Sequence, residues 1–128
     1  GLGEGLTPSG DDFLAGLVGI LNVIHRESPL KWEWERKLKI LNQCLLDAIA
    51  ANKTTLVSNM LLKSASNGWF CEKVQNFLLN LVEEKDNLED SLKQVLSIGH
   101  NSGSDMLAGI FTGFQLLKTR KNDLCLTR

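Results

Sequence analysis

The chain has 128 residues, 43% of them hydrophobic and 23% charged, with a formal net charge of -1. That is enough for one domain with a real core, and it lacks the concentrated basic field of a nucleic-acid or anionic-membrane surface. No apolar run approaches the ~20 residues of a bilayer-spanning helix, and nothing has the layout of a signal peptide.

In chain order, almost every long segment repeats its apolar residues at helical spacing. A first helix starts after Ser9 or Asp11 as N-cap, carries Phe13, Leu14, Leu17, Val18, Leu21 and Ile24, and ends near His25. Glu27-Ser28-Pro29 then breaks and restarts the chain, with proline at the first helical position. A second helix runs from Leu30 to Ala51 on Leu30, Trp34, Leu38, Leu41, Leu45 and Ile49; Trp32 falls off that stripe and is expected against a loop or a partner. Thr54 or Thr55 caps a third, with Leu56, Val57, Met60, Leu61 and Ala65 as its apolar face and Asn67-Gly68 as its stop. The fourth carries Phe70, Val74, Phe77, Leu78 and Leu81. The fifth opens at Asp86 or Asn87, carries Leu88, Leu92, Val95 and Leu96, and breaks at Gly99. Ser102 or Ser104 caps the last, which carries Met106, Leu107, Ile110, Phe111, Phe114 and Leu117. The fold class is therefore all-α: a single compact domain over 1–128 of about six helices, with Asp123–Thr127 as a short C-terminal strand. The chain has no initiator Met and starts inside what reads as a loop, so we expect it to be the C-terminal part of a longer protein.

Cys44, Cys71 and Cys125 are odd in number and widely spaced, which fits neither a disulfide framework nor a zinc site. Buried free thiols in a reducing, cytoplasmic setting are the expectation.

The unusual feature is a repeat. Aligning Thr7–Gly16 with His100–Gly109 pairs Ser9 with Ser102, Gly10 with Gly103, Asp12 with Asp105, and Leu14-Ala15-Gly16 with Leu107-Ala108-Gly109. Each copy of S-G-x-D-x-L-A-G is a polar loop that runs into a helix. Helix starts present unpaired N–H groups and the positive end of the macrodipole, so Thr7, Ser9, Gly10, Ser102 and Gly103 form a candidate cradle for a small anion. Asp11, Asp12 and Asp105, with Glu4 near in sequence, are hard oxygen ligands suited to Mg²⁺. Asp12, Asp105 and His100 are the candidate acid–base groups, since imidazole titrates near neutrality.

Three readings stay open. In the first, the two loops share a polar anion site. In the second, a metal-dependent hydrolase holds Mg²⁺ on Asp11, Asp12 and Asp105. In the third, the repeat is a structural or assembly device, in which Asp12 and Asp105 only cap their own helices. Glycine inside a helix costs ~1 kcal/mol relative to alanine. Ala15, Gly16 and Gly19, with Ala108, Gly109 and Gly113, therefore predict that the first and last helices cross closely. The hydroxyls and amide of Thr54, Thr55, Ser58 and Asn59 are a weaker pocket-lining candidate. The lone G-L-G-E-G stretch, with no preceding strand in view, is a very weak dinucleotide or phosphate-loop signal.

GLGEGLTPSGDD at Gly1–Asp12 and GHNSGSD at Gly99–Asp105, in that order, resemble a bacterial family that includes the accessory subunit of oxamate carbamoyltransferase. At Glu4 the chain departs from the family pattern, which has proline or another small residue there. The resemblance implies an enzyme system of anaerobic allantoin, hence purine, degradation that handles carbamoyl phosphate, oxamate and oxalurate. It also implies companion subunits as partners, a small anionic substrate, and a transferase role for the assembly.

Overall fold

The computed structural model describes residues 5–28 and 31–125, with side chains through 119. It contains α1 (Ser9–Glu27), α2 (Trp32–Ala50), α3 (Leu56–Ala65), α4 (Glu72–Val82), α5 (Leu88–Leu96) and α6 (Ser102–Cys125). There is no strand among the described residues, and Asp123–Cys125 continue α6 instead of leaving it as an extended tail. Pro29, Leu30 and the last part of the expected strand lie outside the described residues, as does Glu4.

α1 is the central element. It packs most extensively against α6, then against α3 and α2, while α4 and α5 pair with each other. One core cluster joins Ile20 to Phe70, Val74, Phe77, Val95, Met106, Leu107 and Ile110. The other joins Ala15 and Val18 of α1 to Leu45, Leu62 and Ala65. A reciprocal amide pair fixes α2 against α1: Asn22 Nδ2 donates to Asn42 Oδ1 at 3.0 Å, and Asn42 Nδ2 returns a bond to Asn22 Oδ1 at 2.9 Å.

The close crossing of α1 and α6 is present and has an internal symmetry. A Cβ on Gly16 would overlap the carbonyl oxygen of Met106 and lie 3.1 Å from Ile110 N; a Cβ on Gly109 would overlap the carbonyl of Phe13 and lie 2.7 Å from Leu17 N. In the motif alignment Gly16 matches Gly109, Phe13 matches Met106, and Leu17 matches Ile110. The two helices thus exchange equivalent contacts, as isologous partners do. A side chain at either glycine is excluded because backbone, not a flexible side-chain end, fills the space.

Three local expectations are corrected. The N-cap of α1 is Pro8, whose carbonyl accepts from Asp11 N at 2.8 Å and Asp12 N at 3.1 Å, so neither Ser9 nor Asp11 caps it. In α3, Leu56, Val57 and Met60 are exposed, and the face turned inward is Ser58, Leu62 and Ala65. Cys44 and Cys71 are free as expected but exposed, because Cys44 sits on the outer side of a peripheral helix and Cys71 at the start of α4. Thr55 does cap α3, accepting from Ser58 N at 3.1 Å, and a positive φ of 72° at Gly68 completes the turn that ends it. Trp32 is 70% exposed, off the α2 stripe as read.

Candidate functional site

The polar half of each repeat lies at one pole of the molecule. Thr7 sits beside Ser102, Gly16 beside Met106 and Ile20 beside Gly113, so α1 and α6 run parallel. Asp11 meets Thr54, and further along the Asn22 amide reaches the Ala65 carbonyl at 3.4 Å, so α3 runs parallel to α1 as well. Three helix starts therefore share one end. Each brings first-turn N–H groups without an intrahelical acceptor and a positive dipole end equivalent to roughly half a charge. Acidic residues at that end are electrostatically favoured, which explains their presence but not their burial.

The segment Gly5–Thr7 crosses this pole. Thr55 Oγ1 donates to Leu6 O at 2.5 Å on the α3 side, and Thr7 Oγ1 pairs with Ser102 Oγ at 2.9 Å on the α6 side. Gly5, with φ of 99°, takes a left-handed conformation that side-chain-bearing residues avoid.

Beneath that strap, Asp12 is 1% exposed and Asp11 4%. Thr54 Oγ1 donates to Asp11 Oδ2. Asp12 has side-chain hydrogen bonds from Ser102 and Thr7, which belong to α6 and to the strap. Burial pushes its carboxyl above the usual carboxylate range; those two hydroxyls oppose the shift, and the neighbouring Asp105 and Asp11 carboxylates add to it.

Among the described residues, four acceptor atoms at this end have no partner: Asp12 Oδ2, Asp105 Oδ2, Ser58 Oγ and Asn59 Oδ1. A buried polar atom left unpaired costs roughly 1–3 kcal/mol, more when charged. Such a concentration at one pole makes it the candidate site.

Thr7, Asp11, Asp12, Ser102 and Asp105 therefore come together, with Gly10 half-buried in the first turn of α1. Ser9 is exposed, and His100 is exposed in the turn before α6. Gly103 does not serve as a free donor, since its N–H bonds Ile98 O at 3.1 Å and a Cβ there would overlap Val95 O. Its lack of a side chain is explained by packing against α5. Among the described residues no group of three His, Cys, Asp or Glu side chains lies close enough to hold a metal ion. Asp12 does more than cap its own helix, because its hydroxyl partners lie outside its own first turn.

Thr54, Thr55, Ser58 and Asn59 contribute more than their sequence suggests. The signal was there: Ser58 occupies the position of an apolar residue in the Ser58, Leu62, Ala65 face. A separate polar cleft of about 400 Å³ between α4 and α5, lined by Asn76, Asn80 and Gln94 among others, shares no residue with the pole.

No described helix is long and apolar enough to cross a membrane. No solved structure matches the chain. Its sequence matches the family described as oxamate carbamoyltransferase subunit AllH over residues 1–114, a span that holds both motif copies and every residue of the pole. The chain belongs to that family, and hence to the subunits of a carbamoyltransferase.

Proposed function

We propose that this subunit binds a small anionic substrate of the carbamoyltransferase at the pole where α1, α3 and α6 begin. Oxamate, carbamoyl phosphate and oxalurate are the candidates. One observation carries the reading: Asp12 is buried yet tied by Thr7 to the strap and by Ser102 to the other motif copy, with unpaired acceptors beside it. In this reading the first-turn N–H groups around Gly10 and the hydroxyls of Thr7 and Ser102 meet the anionic end. Asp12 and Asp105 meet the remainder of the ligand, and His100 carries protons between the pole and solvent. Positioned donors of this kind also stabilise an oxyanion that develops during carbamoyl transfer.

The test is thermal stability of the full chain with each compound. A ligand of the folded state adds RT ln(1 + [L]/Kd), about 2.7 kcal/mol at a hundred times Kd. Oxamate or carbamoyl phosphate should raise the Tm, and Ser102→Ala and Asp12→Ala should lose that increment. Unchanged Tm values with all three compounds would refute the site.

A further inference from the structure

The unpartnered atoms at the pole have a common chemical character, since all four accept hydrogen bonds. Ser58 is the observation independent of the acidic cluster. It is 0% exposed, and it stands one turn after Thr54, whose hydroxyl holds Asp11, and one turn before Leu62, which packs with Ala15. Its hydroxyl therefore faces the first turns of α1 without a partner. A purely anionic group could accept only from the Ser58 hydroxyl and would leave both carboxylate oxygens and the Asn59 carbonyl unsatisfied.

We infer that the pole receives its ligand amide end first, with a primary –NH2 donating one N–H to Asp12 Oδ2 and the other to Asp105 Oδ2. The inference rests on the anion site proposed above and adds which end of the ligand lies deepest. Asp12 and Asp105 thereby become specificity-determining residues for the amide nitrogen. An ammonium group is the competing donor. It would hold both carboxylates ionised, whereas burial drives Asp12 toward its neutral form. Access requires movement of the Gly5–Thr7 strap, which the hydroxyls of Thr55 and Thr7 hold at its two sides.

Calorimetric titration of the full chain with three probes tests this. Oxamate and pyruvate share length and charge and differ only by –NH2 against –CH3; glycine offers an ammonium group beside a carboxylate. Oxamate should bind at least tenfold more tightly than either, and in Asp105→Ala its advantage over pyruvate should fall toward one. Equal affinity for oxamate and pyruvate would overturn the amide-first geometry while leaving an anion site. Glycine binding as tightly as oxamate would overturn it in favour of an ammonium ligand. Binding of none of the three would overturn the inference, while the anion site would still rest on carbamoyl phosphate and oxalurate.

Discussion

The two halves of the repeated motif have opposite fates. In the L-A-G half the copies are equivalent: Gly16 lies on the Met106 carbonyl as Gly109 lies on that of Phe13. In the S-G-x-D half equivalence is lost. Ser102 bonds Thr7 and serves Asp12, while its mate Ser9 is exposed; Asp12 is buried with two hydroxyl partners, while Asp105 is only half-buried. Two parallel helices packed backbone to backbone are most simply satisfied by symmetric contacts. A site for one asymmetric ligand is not, and the strap before α1 is what breaks the symmetry.

Substitutions can attack each half. The largest effect is expected at the crossing. Gly16→Ala puts a methyl into the Met106 carbonyl, and overpacking of this kind costs about 3 kcal/mol or more, well beyond the ~1 kcal/mol that alanine gains in helix propensity. Gly109→Ala should cost the same in urea unfolding. The double variant should cost less than the two together, because helices once separated admit both methyls. Unequal single losses would break the symmetry argument.

At the polar half the equivalent pair should diverge. Ser102→Ala removes a partner from both Thr7 and a buried carboxyl and should cost about 1–3 kcal/mol; Ser9→Ala, on an exposed residue, should stay within about 0.5 kcal/mol. Comparable losses would show that the pole is as symmetric as the crossing.

The subtlest test is pH. The native carboxyl of Asp12 is raised above its ordinary value of 3.8, so the folded state holds the proton more tightly than the unfolded state. The stability Asp12 contributes is full below pH 3.8 and declines as pH rises through the native value. Asp12→Asn removes this titration. Its stability relative to the parent should therefore increase with pH across that window and level off above it. A difference that moves the other way would mean that Asp12 is held ionised.

Much of the fold was legible in the sequence. Helical periodicity located all six helices, and glycine at interior helical positions announced the crossing, because its cost demands a compensating close approach. The orientation of α3 was not legible. Leu56, Val57 and Met60 form the more apolar stripe, yet Ser58 faces inward, because it shares a face with Leu62 and Ala65, which fill the core against α1 and α2. The α1 N-cap was misread for a related reason: Pro8 closes the first turn through its carbonyl, freeing Asp12 for partners on another element. Of the candidate site, the convergence of Asp11, Asp12, Asp105, Thr7 and Ser102 was inferable from the repeat. The packing role of Gly103 was not, since only the position of α5 explains it.

The parallel pairing of α1 with α6 also governs how the molecule is made. The most extensive helix pair joins the first helix to the last, across all four helices between them. Helical domains usually fold fast because their contacts are local in sequence, as the α4–α5 pair is here. α1 instead closes a long loop, at an entropic cost that grows slowly with loop length but must be met before its glycine face is covered. The pole, built from the starts of helices at both ends of that loop, therefore forms only when α1 and α6 come together.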